Sequence, residues 1–196
     1  MALHNDVFKQ QVWEWFCDDL ESCLLVSKKL QLGDKEFNGG TNFPACLTIF
    51  AVIEMAAAYY AGRTDDSNLT NDAVKFLTKY FAMYDSRFED PRFTRGFYLV
   101  FRHGLVHQWA PKYGGVSMAF TINTLLIELE LPDGSPSISL NAPKFFELTK
   151  FAIRDYESDL DRSAALQGKF QTRYETMIKE DRKAMKKFTT LLSGSA

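Results

Sequence analysis

The stretch PACLTIFAVIEMAAAYYA at 44–61 decides the fold, because it is the longest apolar run in the chain. Pro44 suits the first turn of a helix, and Gly62 marks its end. Thr48 and the acid Glu54 interrupt the run, which favours a buried helix over a membrane span. Its small residues let neighbouring helices approach closely: Ala51, Ala56, Ala57, Ala58 and Ala61. We therefore expect the central helix of a bundle.

The chain before this stretch predicts one helix and a connector. Apolar side chains recur at helical spacing over 5–31, which indicates a long amphipathic helix that ends at Gly33. The polar, glycine-rich segment 33–42 follows no strand and lacks the Gly-Lys-Ser/Thr of a phosphate-binding loop. We expect a flexible connector there.

The chain after the central helix predicts further helices. Apolar side chains recur at helical spacing over 70–84 and again over 91–108. Beyond Pro143 the sequence becomes increasingly polar, and either one very long helix or two helices interrupted near Gly168 would account for it. Together these segments predict a mainly α protein.

Between the helices, at about 116–140, the apolar residues alternate with polar ones. This alternation over 116–123 and 127–131 predicts two strands. The turn sequence Pro-Asp-Gly at 132–134 precedes a third short strand at 137–140. We expect a small antiparallel hairpin or meander inserted in the bundle, with one apolar face lying on the helices.

Length, charge and cysteine content bound the class of protein. The 196 residues fit a single domain, 1–196, long enough to bury a substantial core without metals or disulfides. A net charge of −2 excludes the global basic field of a general nucleic-acid binder, so any RNA contact must come from a local patch. Three cysteines without a C-x-x-C pair and the lack of a secretory apolar segment indicate a soluble cytoplasmic protein.

The stretch FRHGLVHQW at 101–109 concentrates the residues suited to chemistry. An imidazole titrates near neutral pH, and a guanidinium presents a charged fork that matches phosphate oxygens, so Arg102, His103 and His107 suit phosphoryl chemistry. On an α-helix, Arg102 and His107 point about 140° apart, whereas the two histidines lie about 40° apart. The arginine and His107 therefore converge only if the helix ends or distorts, or if a second subunit supplies one of them. Alternatively, the pair is a partly buried polar face near a helix C-terminus.

Three further residues are candidates for the same site. Glu54 is the one acid in the apolar helix, and we expect it either to orient Arg102 or a histidine or to occupy a narrow exposed face. Arg95 stands seven residues before Arg102 on the same side of the helix, and Lys112 follows the motif, so both are candidates for binding a phosphate backbone. The alternative for these basic residues is a solvated face paired with nearby acids.

The sequence RHGLVH at 102–107 resembles the R-x4-6-H signature of HEPN domains, all-helical proteins many of which are RNases. The resemblance implies an HEPN-like helical bundle and cleavage of RNA without a metal or cofactor. His107 would act as general base or acid at the 2′-hydroxyl, Arg102 would steady the phosphate, and His103 would assist. A metal site is not expected, because the histidines lack the flanking glutamate of H-E-x-x-H.

The same resemblance implies partners. HEPN proteins commonly form homodimers in which both motifs face one cleft, and single-stranded RNA would be the substrate. Whether a nucleotidyltransferase antitoxin is a further partner, as in a toxin–antitoxin or defence system, stays open. The alternative function is a noncatalytic helical module that binds RNA or protein.

Overall fold

Six helices run through the parts of the chain that a computed structural model describes, residues 3–26, 30–32, 35–37, 42–65, 67–108 and 114–192. The protein is thus mainly α, as the periodicity predicts. The helices are α1 (residues 3–26), α2 (Asn42–Ala61), α3 (Leu69–Tyr80), α4 (residues 91–108), α5 (Ala142–Arg162) and α6 (Ala164–Leu192).

The central helix of the bundle is α2, as expected from 44–61. It contacts α3, α5 and α6, and residues such as Ala45, Ile49, Ile53 and Ala56 are fully buried. By length and composition alone α2 could cross a membrane, but more than half of its apolar window is buried inside the protein. Apolar residues surround its axis because other helices cover it on several sides.

Two groups of aromatic rings fix the other helices on α2. Phe50 contacts Phe145 of α5 at a ring-centroid distance of 4.9 Å and also contacts Phe97 and Tyr98 of α4. Toward the other end of α2, Tyr59 stacks on Phe170 of α6 at 4.3 Å. Aromatic pairs of this kind stabilise by about 0.5–1.5 kcal/mol each beyond their buried area. The first group is the one that holds the motif-bearing helix α4 against α2.

The N-terminal helix is shorter than predicted, and strands replace part of the expected connector. α1 ends at Val26, and β1 (Leu30–Leu32) pairs antiparallel with β2 (Lys35–Phe37). The prediction of helix up to 31 was therefore wrong at its end, as was that of an unstructured 35–37; the rest of 33–41 lies outside the described residues. Gly-Asp at 33–34 is a pair typical of hairpin turns, a signal that the sequence does contain.

The three-stranded sheet is mixed, so the prediction of a purely antiparallel hairpin or meander was wrong. β3 (Gly114–Ser117), β4 (Leu126–Glu130) and β5 (Pro136–Asn141) stand in the order β3-β5-β4. β5 lies antiparallel to β4 and parallel to β3, because the chain reverses twice and then inserts its third strand between the first two.

The predicted first strand is also cut short. Residues 118–124 do not continue β3, because the side-chain amide of Asn141 donates hydrogen bonds to the carbonyls of Ala119, Ile122 and Thr124. These bonds, 2.8–3.2 Å long, wrap the segment into a loop around one buried amide. Alternating apolar residues here therefore mark a loop and not a strand.

The C-terminal region forms two helices, one of the two predicted arrangements. The break falls at Ser163 and not near Gly168, which lies inside α6. The Ser163 hydroxyl accepts a hydrogen bond from the backbone N–H of Leu166, and Ser163 thus caps α6. A serine that caps a helix in this way ends one helix and begins the next.

Candidate active site

The motif lies where α4 changes its helical type. Pro91–Phe97 is α-helical and begins after Asp90, whose side chain accepts a hydrogen bond from the backbone N–H of Arg92. Tyr98–His103 is π-helical, and Gly104–Gln108 returns to the α form. A π turn is rare, and it changes the angle between successive side chains from that of an α-helix. The helix therefore distorts at Arg102 and does not end there.

Glu54 of α2 binds two side chains of the π turn. Arg102 donates from Nε to Oε1 of Glu54 at 2.5 Å and from Nη2 to Oε2 at 3.1 Å. The Tyr98 hydroxyl donates to the same Oε1 at 2.5 Å. The Arg102 and Glu54 side chains are only 22% and 17% exposed, so this ion pair is largely shielded from water. It joins α4 to α2.

The surroundings keep Arg102 charged and Tyr98 neutral. The hydrogen bond to Glu54 raises the pKa of the Arg102 guanidinium. Burial, followed by the hydrogen bond to Glu54, raises the pKa of the Tyr98 hydroxyl. The guanidinium carbon also lies 6.0 Å from the centroid of the Tyr98 ring, within the range of a cation–π contact.

A chain of ring contacts leads from this pair to the two histidines. The Tyr98 and His103 ring centroids are 5.6 Å apart, and those of His103 and His107 are 5.7 Å apart in an edge-to-face arrangement. His103 is half-buried, whereas His107 is exposed. Among the contacts of the described residues, none joins Arg102 to His107 directly. Within one chain the arginine therefore contacts α2, while His107 faces solvent.

A cleft of about 250 Å³ lies beside Glu54, between α2 and α6. The carboxylate that binds Arg102 thus also lines an opening at the surface. Two of the lining residues, Tyr59 and Arg173, are not predicted as site residues from the sequence, because neither stands near the motif. The lining comprises Glu54, Met55, Ala58, Tyr59, Leu69, Arg173 and Met177.

Arg95, one of the two predicted phosphate-binding residues, is not brought together with Arg102. Arg95 donates from Nη1 to the side-chain oxygen of Asn71 on α3 at 2.8 Å, whereas Arg102 contacts α2. Arg92 forms an ion pair with Asp90, as expected for a solvated face. Lys112 lies outside the described residues. The structure thus places Glu54 at Arg102, and whether any of these residues serves catalysis stays a prediction.

No family model, curated protein or solved structure matches this chain. Within the described ranges, no three His, Cys, Asp or Glu side chains come together as possible metal ligands. The positions of individual side chains and the RHGLVH sequence at 102–107 are therefore the features that bear on function.

Proposed function

We propose that this protein is an HEPN-like endoribonuclease that cleaves single-stranded RNA without a metal ion. The observation that carries the proposal is the arrangement of side chains along α4 between Tyr98 and His107. A cation is held in place by Glu54, and a row of rings from Tyr98 leads to a pair of imidazoles. A fixed guanidinium and a group that titrates near neutral pH are what transfer of a phosphoryl group requires.

The guanidinium of Arg102 retains donors for a phosphate. A guanidinium has five N–H donors, and the pair with Glu54 takes one on Nε and one on Nη2. The remaining donors suit the nonbridging oxygens of a phosphodiester. Glu54 fixes the orientation of this group and is a positioning residue.

In the proposed reaction the 2′-hydroxyl oxygen attacks the phosphorus while His107 takes the hydroxyl proton. The bond from phosphorus to the 5′-oxygen breaks, and His103, whose ring contacts that of His107, gives a proton to the leaving oxygen. The products are a 2′,3′-cyclic phosphate and a 5′-hydroxyl. DNA lacks the attacking hydroxyl and should survive.

The separation of Arg102 from His107 favours a homodimer as the active form. If a twofold axis brings two α4 ends together, Arg102 of one protomer and His107 of its partner share a cleft, and symmetric dimers are the commonest oligomers. We place this ribonuclease in the cytoplasm. A nucleotidyltransferase antitoxin is a further proposed partner, and copurification from cells is the way to find it.

The decisive experiment incubates purified protein with single-stranded RNA and with DNA of the same sequence, in EDTA. We expect RNA fragments ending in a 2′,3′-cyclic phosphate or its hydrolysis product, and intact DNA. Arg102→Ala and His107→Ala should both be inactive, while the matched control Arg92→Ala, on the same helix, keeps full activity. Equal cutting of DNA, or activity lost on chelation and restored by a divalent ion, contradicts the mechanism.

A second function is favoured by one observation, the engagement of Arg102 with Glu54 and Tyr98. Those bonds also suit a purely structural link between α4 and α2, in a noncatalytic module that binds RNA or protein. Fluorescence anisotropy with labelled RNA separates the two functions. Binding without cleavage, equally strong in His107→Ala, supports the module.

A further inference from the structure

The C-terminal half of α6 extends away from the body of the protein. Phe170 is its last fully buried residue, and every residue from 179 to 192 is exposed. We call residues 182–192 the arm. Four large apolar side chains in the arm are each more than half exposed, and they lie close to one face of the helix: Met185, Phe188, Leu191 and Leu192. An exposed apolar face of this kind marks an interaction surface.

The arm is also the most basic part of the chain. It carries no acidic residue and four cations: Arg182, Lys183, Lys186 and Lys187. Since the whole chain carries −2 and the arm carries +4, the remainder carries −6. The arm therefore suits a partner surface that is both apolar and negatively charged. The rest of this protein is acidic.

The sheet offers such a surface. A groove of about 600 Å³ lies along β4 and β5, and its lining includes Ile138, which is 43% exposed. Glu128 stands opposite Ile138, and Glu130 stands opposite Pro136, so these carboxylates share one face of the sheet with Ile138 and Pro136, whereas Leu129 lies on the other face. Arg87 lies near Glu128, but its guanidinium is already paired with Asp85.

We propose that the arm of one copy docks in this sheet groove of a second copy. The arm is about 16 Å long as an α-helix, and the five residues of β4 span about 17 Å, so the two surfaces match in length. They also match in apolar character and are opposite in charge. Both are exposed in a single chain, so they do not meet within it. A reciprocal exchange covers both arms in one closed twofold dimer.

This contact does not depend on the proposed RNase activity. None of its residues belongs to the 102–107 motif, and association is measured without RNA. Sedimentation of the full chain over a wide range of concentration should show a dimer that weakens as salt rises, because added ions screen the charges.

Charge reversal tests the pairing of the two surfaces. Arg182→Glu with Lys187→Glu in the arm, the two cations nearest its apolar face, or Glu128→Lys with Glu130→Lys in the groove, should weaken dimerisation at least about tenfold. All four changes in one chain again set opposite charges against each other at these four positions, while the arm as a whole becomes neutral, and they should restore part of the association. Lys75→Glu, a reversal on the exposed face of α3, is the control and leaves association unchanged.

A second test mixes the two kinds of variant. An arm variant combined with a groove variant retains one intact contact per pair, so the mixture should associate more strongly than either variant alone. A monomeric wild type, or association as strong in both reversals as in the wild type, overturns the proposal. So does binding of wild type and groove variant alike to phosphatidylserine vesicles without any dimer, since a lipid surface would then be the occupant.

Discussion

The two ends of the motif differ in what surrounds them. Arg102 is three-quarters buried and is bound by Glu54 and Tyr98, whereas His107 is exposed and its only described contact is with another histidine ring. The arginine end is therefore part of the link between α4 and α2. The His107 end contributes almost nothing to that link.

Because of this difference, a variant at Arg102 and a variant at His107 can lose activity for different reasons. Loss of activity on changing Arg102 combines a chemical role with a structural one, because the guanidinium neutralises a shielded carboxylate. Loss of activity on changing His107 reports chemistry alone. Both the activity and the free energy of unfolding must therefore be measured for each variant, at Arg102 and at His107 alike.

Arg102→Ala should produce the largest effect. It leaves the Glu54 carboxylate without its cation in a largely buried position, which should lower the free energy of unfolding by about 1–3 kcal/mol. RNase activity should be lost as well. Urea unfolding followed by circular dichroism measures the first effect, and cleavage of labelled RNA the second.

The control for this variant is Arg92→Ala. The Arg92 side chain is 92% exposed and its ion pair with Asp90 is at the surface, so its removal should change the free energy of unfolding far less than Arg102→Ala does. If Arg102→Ala is as mild as Arg92→Ala, the ion pair with Glu54 does not hold the helices together and the contrast between the two ends of the motif disappears.

Parts of this contrast were accessible from the sequence. An acid inside an apolar helix needs a partner, and Arg102 is one of the partners that the sequence predicts for Glu54. The central helix and the extent of α4 also follow from periodicity, since a helix covered by neighbours must be apolar around its axis. Spacing determines the face on which a side chain lies, but it does not identify the neighbour.

Other features had no sequence signal of sufficient strength. The π turn at Tyr98–His103 has no sequence signal, because no residue type specifies it. Alternation over 116–123 gave the faces of a strand but could not show that Asn141 would draw the segment into a loop. The basic run in α6 could not reveal that its apolar residues would stay uncovered, because helical periodicity is the same for a buried and an exposed face.

Glu54→Gln should have the next largest effect. The amide keeps the size of the side chain and one acceptor but loses the charge, so the expected loss of stability is about 1–2 kcal/mol. A neutral residue no longer competes with phosphate for Arg102, and KM for RNA should fall. The less firmly oriented guanidinium should lower kcat. A purely structural glutamate would leave the activity of the remaining folded protein unchanged in both parameters.

Tyr98→Phe should cost less, about 0.5–1.5 kcal/mol, because it removes the hydroxyl with its hydrogen bonds to Glu54 and Thr70, while the ring contacts with Phe50 and His103 remain. It should also flatten the dependence of stability on alkaline pH. The raised pKa of Tyr98 contributes stability that is present below pH 10 and is lost as pH rises above it, since the unfolded tyrosine ionises first. Urea titrations of both proteins at neutral pH and near pH 11 measure how much stability each loses at alkaline pH. An equal loss in the variant and the wild type would contradict a buried, neutral Tyr98.

His107→Ala should change stability least, by less than about 0.5 kcal/mol, because the imidazole is exposed and leaves no buried partner unsatisfied. Activity should nevertheless disappear, which makes this variant the sharpest test of chemistry at the exposed end.

If Arg102 and His107 act across a twofold axis, a mixed dimer of Arg102→Ala and His107→Ala retains one intact arginine and one intact histidine on opposite chains. Subunit exchange, verified by a fluorescence label on each variant, should then restore part of the RNase activity. Verified exchange without recovery, or an active wild-type monomer, would show that the two ends of the motif do not share a cleft.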